Sequence, residues 1–217
     1  MEAFLAEIWT ARRHLAEGLL ATLEISAAAI AIGSAIGLGV GVGLCFAPKP
    51  LRMLLRAYVD LVRGTPVLVL ILAAFYILAV MGLPLGAAQA GILALSVFCG
   101  AHLGEILRGA LQAVPLTQIE SARSLGLGTW RLLGLVMLPQ ALRQVIPVWV
   151  NTATEIVKAS TLLSVIGVGE LLLKTQEVIG RNYLTLEFYA LAGLAYFLVN
   201  RAIQAIGQRA ERRFEIP

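Results

Sequence analysis

Polar and apolar positions along this chain separate into long charge-free runs and short, base-rich connections. No Asp, Glu, Lys or Arg occurs from Ile25 to Pro48, and none from Val67 to Gly104. A helix needs roughly 20 apolar residues to cross a bilayer, so the first run predicts one span. The second is long enough for two, broken at Met81-Gly82-Leu83-Pro84. Further runs from Pro139 to Thr161 and from Thr185 to Gln208 bring the predicted total to five spans. None of them alternates apolar and polar positions as a barrel strand does. The pattern predicts an all-α integral membrane protein.

The flanks complete the layout. Residues 1–17 mix Glu2, Glu7, Arg12, Arg13 and Glu17 with apolar positions. They lack the uninterrupted apolar core of a cleavable leader and predict an amphipathic segment at the membrane interface. Residues 18–210 form the transmembrane domain, with a loop at 113–138, and 211–217 a short tail. Composition agrees: 59% of the 217 residues are hydrophobic and 14% charged, too apolar for a soluble domain of this size. Cys45 and Cys99 both fall inside predicted spans, which argues against a structural disulfide. The net charge of +4 would suit nucleic acid, but the distribution of bases argues for a membrane topology instead. Short cytoplasmic connections collect Lys and Arg. Lys49, Arg52, Arg56 and Arg63 follow span one, Arg123 and Arg131 follow span three between Arg108 and Arg143, and Arg209, Arg212 and Arg213 end the chain. The opposite side holds only Arg12, Arg13, Lys174 and Arg181. This asymmetry puts the amino terminus outside and the carboxyl terminus in the cytoplasm.

One polar island interrupts the apolar runs. Glu120-Ser121-Ala122-Arg123-Ser124-Leu125-Gly126 is followed at fixed spacing by Val136, Leu138 and Pro139. Pro115 suits the first turn of a short helix, Gly126 suits the position just past its end, and Pro139 suits the start of the next. The spacing resembles the E-A-A-x3-G-x9-I-x-L-P signature of bacterial ABC-importer permeases, with Ser121 and Val136 as small departures. An ordered set of further segments is similar to the polar-amino-acid uptake family: Gly18 to Leu23 with Ser26, Arg63-Gly64-Thr65-Pro66, Glu105-Ile106-Leu107-Arg108-Gly109, Leu138 to Arg143 with Pro147, and Ser164-Val165-Ile166 with Glu170-Leu171-Leu172.

The resemblance implies a type I importer permease fold in a bacterial inner membrane. It implies that residues 115–126 are a coupling helix seated in a groove of an ATPase subunit. There Glu120 would be the polar contact, Gly126 the tight turn, and Leu125 or Leu127 an apolar anchor, with Ser121 and Ala122 completing the signature. The implied partners are two ATPase subunits, a second permease, identical or homologous, an extracytoplasmic substrate-binding protein, and a polar amino acid or small zwitterion as cargo. ATP would bind elsewhere, because a phosphate loop needs Gly-x4-Gly-Lys-Ser/Thr. The nearest look-alike, Lys174-Thr175, has Leu173 in place of the second glycine. No cofactor, metal or catalytic arrangement is expected of this chain, and it is not expected to be an enzyme. A self-contained channel or secondary carrier is the rival reading; it would use the intramembrane charges as its path, but leaves the island without a purpose.

Charges within spans are costly and invite functional readings. Glu155 and Lys158, one turn apart on span four, could bridge as an internal salt pair or meet the two ends of a zwitterion. The resemblance places substrate contacts around this segment, which includes Ser160 and Thr161. Where that family commonly reads L-K-D-T-S-L, this chain has Ala159 after Lys158, which argues against a cationic substrate. Glu170 either faces an incoming amino group or simply lies in solvent. Glu105 and Arg108 read as a snorkelling pair or as pathway lining, and Gly64 and Thr65 join the candidate pathway. His102 reads as packing, and Asn151 and Thr152 as interhelical hydrogen-bonding groups. Gly33, Gly37, Gly39, Gly41 and Gly43 have no strand before them and predict close helix packing, with Gly33 and Gly37 on one face.

Overall fold

The computed structural model describes the backbone of residues 2–214 and the side chains of 4–209 and of Glu211. The described residues form eight helices. They are α1 (Glu2–Phe46), α2 (Lys49–Arg63), α3 (Val67–Val80), α4 (Ala87–Gln112), α5 (Leu116–Ser124), α6 (Thr129–Ile166), α7 (Leu171–Asn182) and α8 (Thr185–Phe214). Four of them, α1, α4, α6 and α8, are long and apolar enough to cross a membrane. The expected second span is instead a bent pair. Helices α2 and α3 turn by 110° at Gly64-Thr65-Pro66, because Pro66 cannot donate to the ladder and forces Thr65 out of the helical region.

The first expected boundary also moves. Residues 2–17 are not a separate segment but the opening turns of α1. Nothing between Glu17 and Ile25 breaks the helix. Gly18 is retained because a side chain there would run into Lys174 and Leu171 of α7, while the Thr22 hydroxyl bonds back to the Gly18 carbonyl at 3.1 Å. Phe4, Ile8 and Leu15 pack around Ala11, Val178 and Phe188, tying this end to α7 and α8. At the other end of the chain, α8 runs on through position 211 to Phe214, so the expected tail is largely helical where it is described.

Helices α1 and α4 run parallel in close contact along small faces. An added Cβ at Gly33, Gly37 or Gly41 would lie 2.5, 2.7 or 2.7 Å from the Cβ of Cys99, Leu103 or Leu107. Gly100 and Gly104 return the fit against Ile36 and Val40. The period of four on both helices is the i, i+4 ridge that lets two backbones approach. Gly39 falls outside this face and touches nothing.

Pro139 does not start the fourth span. That span begins ten residues earlier, at Thr129, and a widened π-turn over Leu133–Met137 leads into Leu138. The missing N–H of Pro139 is thereby absorbed inside a continuous helix. The indole of Trp149 in α6 donates to the Ser34 hydroxyl of α1 at 2.8 Å, a polar tie between spans.

Candidate functional site

The polar island folds as α5 between two spans. Pro115 precedes its first residue, and Leu125 closes it. Gly126 has φ +78, the left-handed conformation that non-glycine side chains resist. Its N–H donates to the Arg123 carbonyl at 2.8 Å, and that of Leu127 to the Ala122 carbonyl at 3.2 Å. This pair of bonds is a Schellman ending. Ile119, Ala122 and Leu127 turn inward onto a core formed by Leu107, Leu111, Leu132 and Met137. Ala122 is therefore the foot of the helix on its own protein rather than an outward contact. Leu127 likewise packs inward, whereas Leu125 is 82% exposed. Glu120, Ser121 and Arg123 are exposed beside it. The Ser121 hydroxyl is already donated to Thr117, leaving Glu120, Arg123 and Leu125 as the available face.

The α6 span carries a second open face. Gln144, Val148, Asn151, Glu155 and Lys158 are exposed at helical spacing while Thr152, Ala153, Ile156 and Val157 are buried behind them. Glu155 and Lys158 form no ion pair with each other or with any described residue. Asn151 joins Pro147 of α6 with Gln204, Gln208 and Glu211 of α8 in a polar cleft of about 320 Å³. The glutamines of α8 were not among the residues singled out by sequence. They belong to a helix half that also carries Asn200, Arg201 and Arg209, so the sequence does not single them out, and only the contact with α6, where Gly207 abuts Val150, brings them beside Asn151.

Several expected site residues serve the fold instead. Ser160 is fully buried and its hydroxyl bonds the Val157 carbonyl at 2.8 Å; Thr161 bonds the Lys158 carbonyl at 2.7 Å. Thr152 bonds Val148 in its own helix, not a neighbour. Thr65 donates to Leu61 at 2.7 Å and, with exposed Gly64, shapes the α2–α3 bend. Glu170 is neither solvent-exposed nor open to an amino group. It is fully buried and caps α7, accepting from the Leu172 and Leu173 amides at 2.9 and 2.8 Å and from the Tyr196 hydroxyl at 2.5 Å. Burial pushes its carboxyl above the usual range, while the bonds from Tyr196 and the two amides pull it down. Nearby, Glu177 accepts from His14 at 2.6 Å and lies 3.6 Å from Lys174. Burial would raise this carboxyl, but His14 and Lys174 together hold it below its ordinary value.

Glu105 and Arg108 do pair, at 2.6 and 2.9 Å, and Arg56 of α2 completes the cluster at 3.1 Å from Glu105. His102 bonds the Phe98 carbonyl and packs on its ring, as a packing residue does.

Residues 17–216 match the family of binding-protein-dependent transport system inner membrane components. The chain belongs to this family. It is thus a multi-pass inner membrane component of a transport system. The glutamine transport system permease protein GlnP of Escherichia coli K12 is 32% identical over 96% of both chains. The probable glutamine ABC transporter permease protein GlnP of Bacillus subtilis is 34% identical over 93% of this chain and 95% of its own. Among solved structures, an amino acid ABC transporter crystallised with histidines shares 30% identity at a TM-score of 0.89, covering 97% of this chain and 98% of that one. An inward-facing MetNI methionine ABC transporter matches at 0.81 with 24% identity, which speaks to the fold alone. For an inner membrane component of this kind, the α5 face and the α6 stripe are two surfaces whose chemistry the fold leaves unspent.

Proposed function

We propose that this chain is the permease subunit of an ATP-driven ABC importer for polar amino acids. It works with a second permease, identical or homologous, with two ATPase subunits that bind and hydrolyse the ATP, and with an extracytoplasmic binding protein. The observation that carries the proposal is α5: a short helix with its own ending, anchored between two spans and offering Glu120, Arg123 and Leu125 outward. Closure of an ATPase pair against such a rigid lever moves α4 and α6 rather than bending a loop, and the pore alternates its access. The amino terminus lies outside and the carboxyl terminus in the cytoplasm, on the strength of the basic connections.

The exposed stripe on α6 supplies the pathway. Lys158 meets the carboxylate of the cargo and Glu155 its α-amino group. Both are ionisable, have no ion partner among the described residues and are placed within a span, an arrangement that persists when a second permease and a polar cargo cover it. Ala159 leaves no acid beside Lys158, so a neutral or acidic amino acid is favoured over lysine or arginine. Similarity to two glutamine permeases is in line with a neutral cargo, whereas similarity to an arginine permease of Bacillus subtilis is not, so the choice rests on Ala159. The test is ATPase stimulation of the reconstituted complex, with its binding protein, across a panel of amino acids. Neutral or acidic ligands should stimulate it, and Glu155→Gln and Lys158→Met should lose that response. A response to arginine alone, undiminished in Glu155→Gln, would show the pathway to be misplaced.

A further inference from the structure

A cleft of about 540 Å³ opens where α1 and α4 end and α2 begins, lined by Leu44, Arg52, Met53, Arg56, Asp60 and Arg108 among others. Three guanidiniums face it. Arg108 is held by Glu105 at 2.6 Å, and Arg56 lies 3.1 Å from Glu105 and 3.9 Å from Asp60. Arg52 gives one N–H to the Ala47 carbonyl at 3.0 Å and has no acidic partner among the described residues. Each guanidinium carries five donors, so most of the donors around the cleft remain open. Against three arginines stand two carboxylates, Glu105 and Asp60, leaving one uncompensated positive charge. A single phosphodiester matches that charge and accepts the free N–H groups bidentately.

The surroundings select the source of the phosphate. On α2, Met53 lines the cleft, and Leu54 and Leu61 carry the exposed apolar surface on round the helix from it, Leu61 at 70%. A soluble anion has no use for such a wall, whereas lipid chains do. A basic cleft at the end of membrane spans with an apolar helix face beside it has the composition of a headgroup site. We infer that this cleft holds one anionic phospholipid, its phosphodiester on Arg52, Arg56 and Arg108 and its acyl chains along Met53, Leu54 and Leu61 of α2. The inference rests on the membrane architecture alone and stands apart from the transport reading.

Native mass spectrometry of the full chain, purified with the subunits it retains, tests this in micelles containing phosphatidylglycerol or phosphatidylcholine. One phosphatidylglycerol should be retained and phosphatidylcholine should not. Arg52→Gln, which leaves the Glu105 pairs intact, should weaken retention about fivefold, and Arg52→Lys, which keeps the charge but loses the bidentate fork, should fall between wild type and Arg52→Gln. Met53→Glu, on the apolar wall, should weaken it independently. Equal retention of both lipids, or unchanged retention in Arg52→Gln, would overturn the assignment. Displacement of the lipid by equimolar glycerol 3-phosphate would replace it with a free-anion site. Disulfide cross-linking of Met53→Cys to a second copy in native membranes would replace it with a protein interface.

Discussion

Glu170 shows how a single residue divides between fold and function. Its carboxylate satisfies the second and third amides of α7 and the hydroxyl of Tyr196 from α8, while the first, that of Leu171, is donated to the Thr22 hydroxyl of α1. Two helices therefore meet on one buried acid, and a third is tied to the residue beside it. Removing it in Glu170→Ala strips a helix cap and strands buried donors, which together should lower stability by about 2 kcal/mol or more, read as a drop in the melting temperature of the solubilised protein. Glu170→Gln keeps an acceptor and should be milder. The pH dependence separates the two further. The folded state raises this carboxyl, so it holds its proton more tightly than the unfolded chain does. Its stabilising contribution is full below the ordinary carboxylate pKa and is lost as pH rises through the raised value. Wild type should thus lose stability relative to Glu170→Gln over that window, and parallel curves would refute the assignment. No sequence pattern around Glu170 separates a buried cap from an exposed acid, since the difference lies in Tyr196, 26 residues on.

At the scale of elements, the small-residue face of α1 and the short helix α5 were both legible because each depends on short-range spacing, whereas the partner of that face, α4, was not. Gly33 and Gly37 repeat at four, and the structure extends the same face to Gly41. Gly37→Ala should overpack that contact at a cost of about 1–3 kcal/mol. Gly39→Ala, in open space, should be neutral or stabilising by up to about 1 kcal/mol. Thermal unfolding of the two variants tests the face directly, and equal losses would count against it. For α5, the outward face predicts that Glu120→Lys leaves insertion intact but lowers uptake at least about tenfold, the equivalent of about 1.4 kcal/mol in coupling. Gly126→Pro acts differently, because a fixed negative φ cannot occupy the left-handed position at +78. It should destroy the helix ending and the coupling together. Normal uptake in either variant, with the ATPase retained, would remove α5 from the coupling role. Less legible was the start of α6, because a proline signals a helix start only where no widened turn absorbs it.

For the whole molecule, the alternation of charge-free runs with basic connections established the class of fold. It misjudged lengths where helices continue past their apolar stretch. Residues 2–17 are too polar for a span yet remain in α1, since their apolar positions find Val178 and Phe188 far along the chain. The charge-free run from Val67 divides at Gly82 as expected, but α3 is a short piece completed by α2 across the Gly64 bend. Hydropathy cannot register a bend whose first half carries Arg52, Arg56 and Asp60. The same bases are the ground for the proposed orientation, and orientation decides whether α5 can reach a cytoplasmic ATPase at all. A cysteine in place of Glu2 should react with an impermeant thiol reagent added outside intact spheroplasts, and one in place of Glu211 only after permeabilisation. Labelling of position 211 in sealed cells would invert the topology, put Glu120 and Leu125 on the outer face, and exclude the coupling role of α5 with a single measurement.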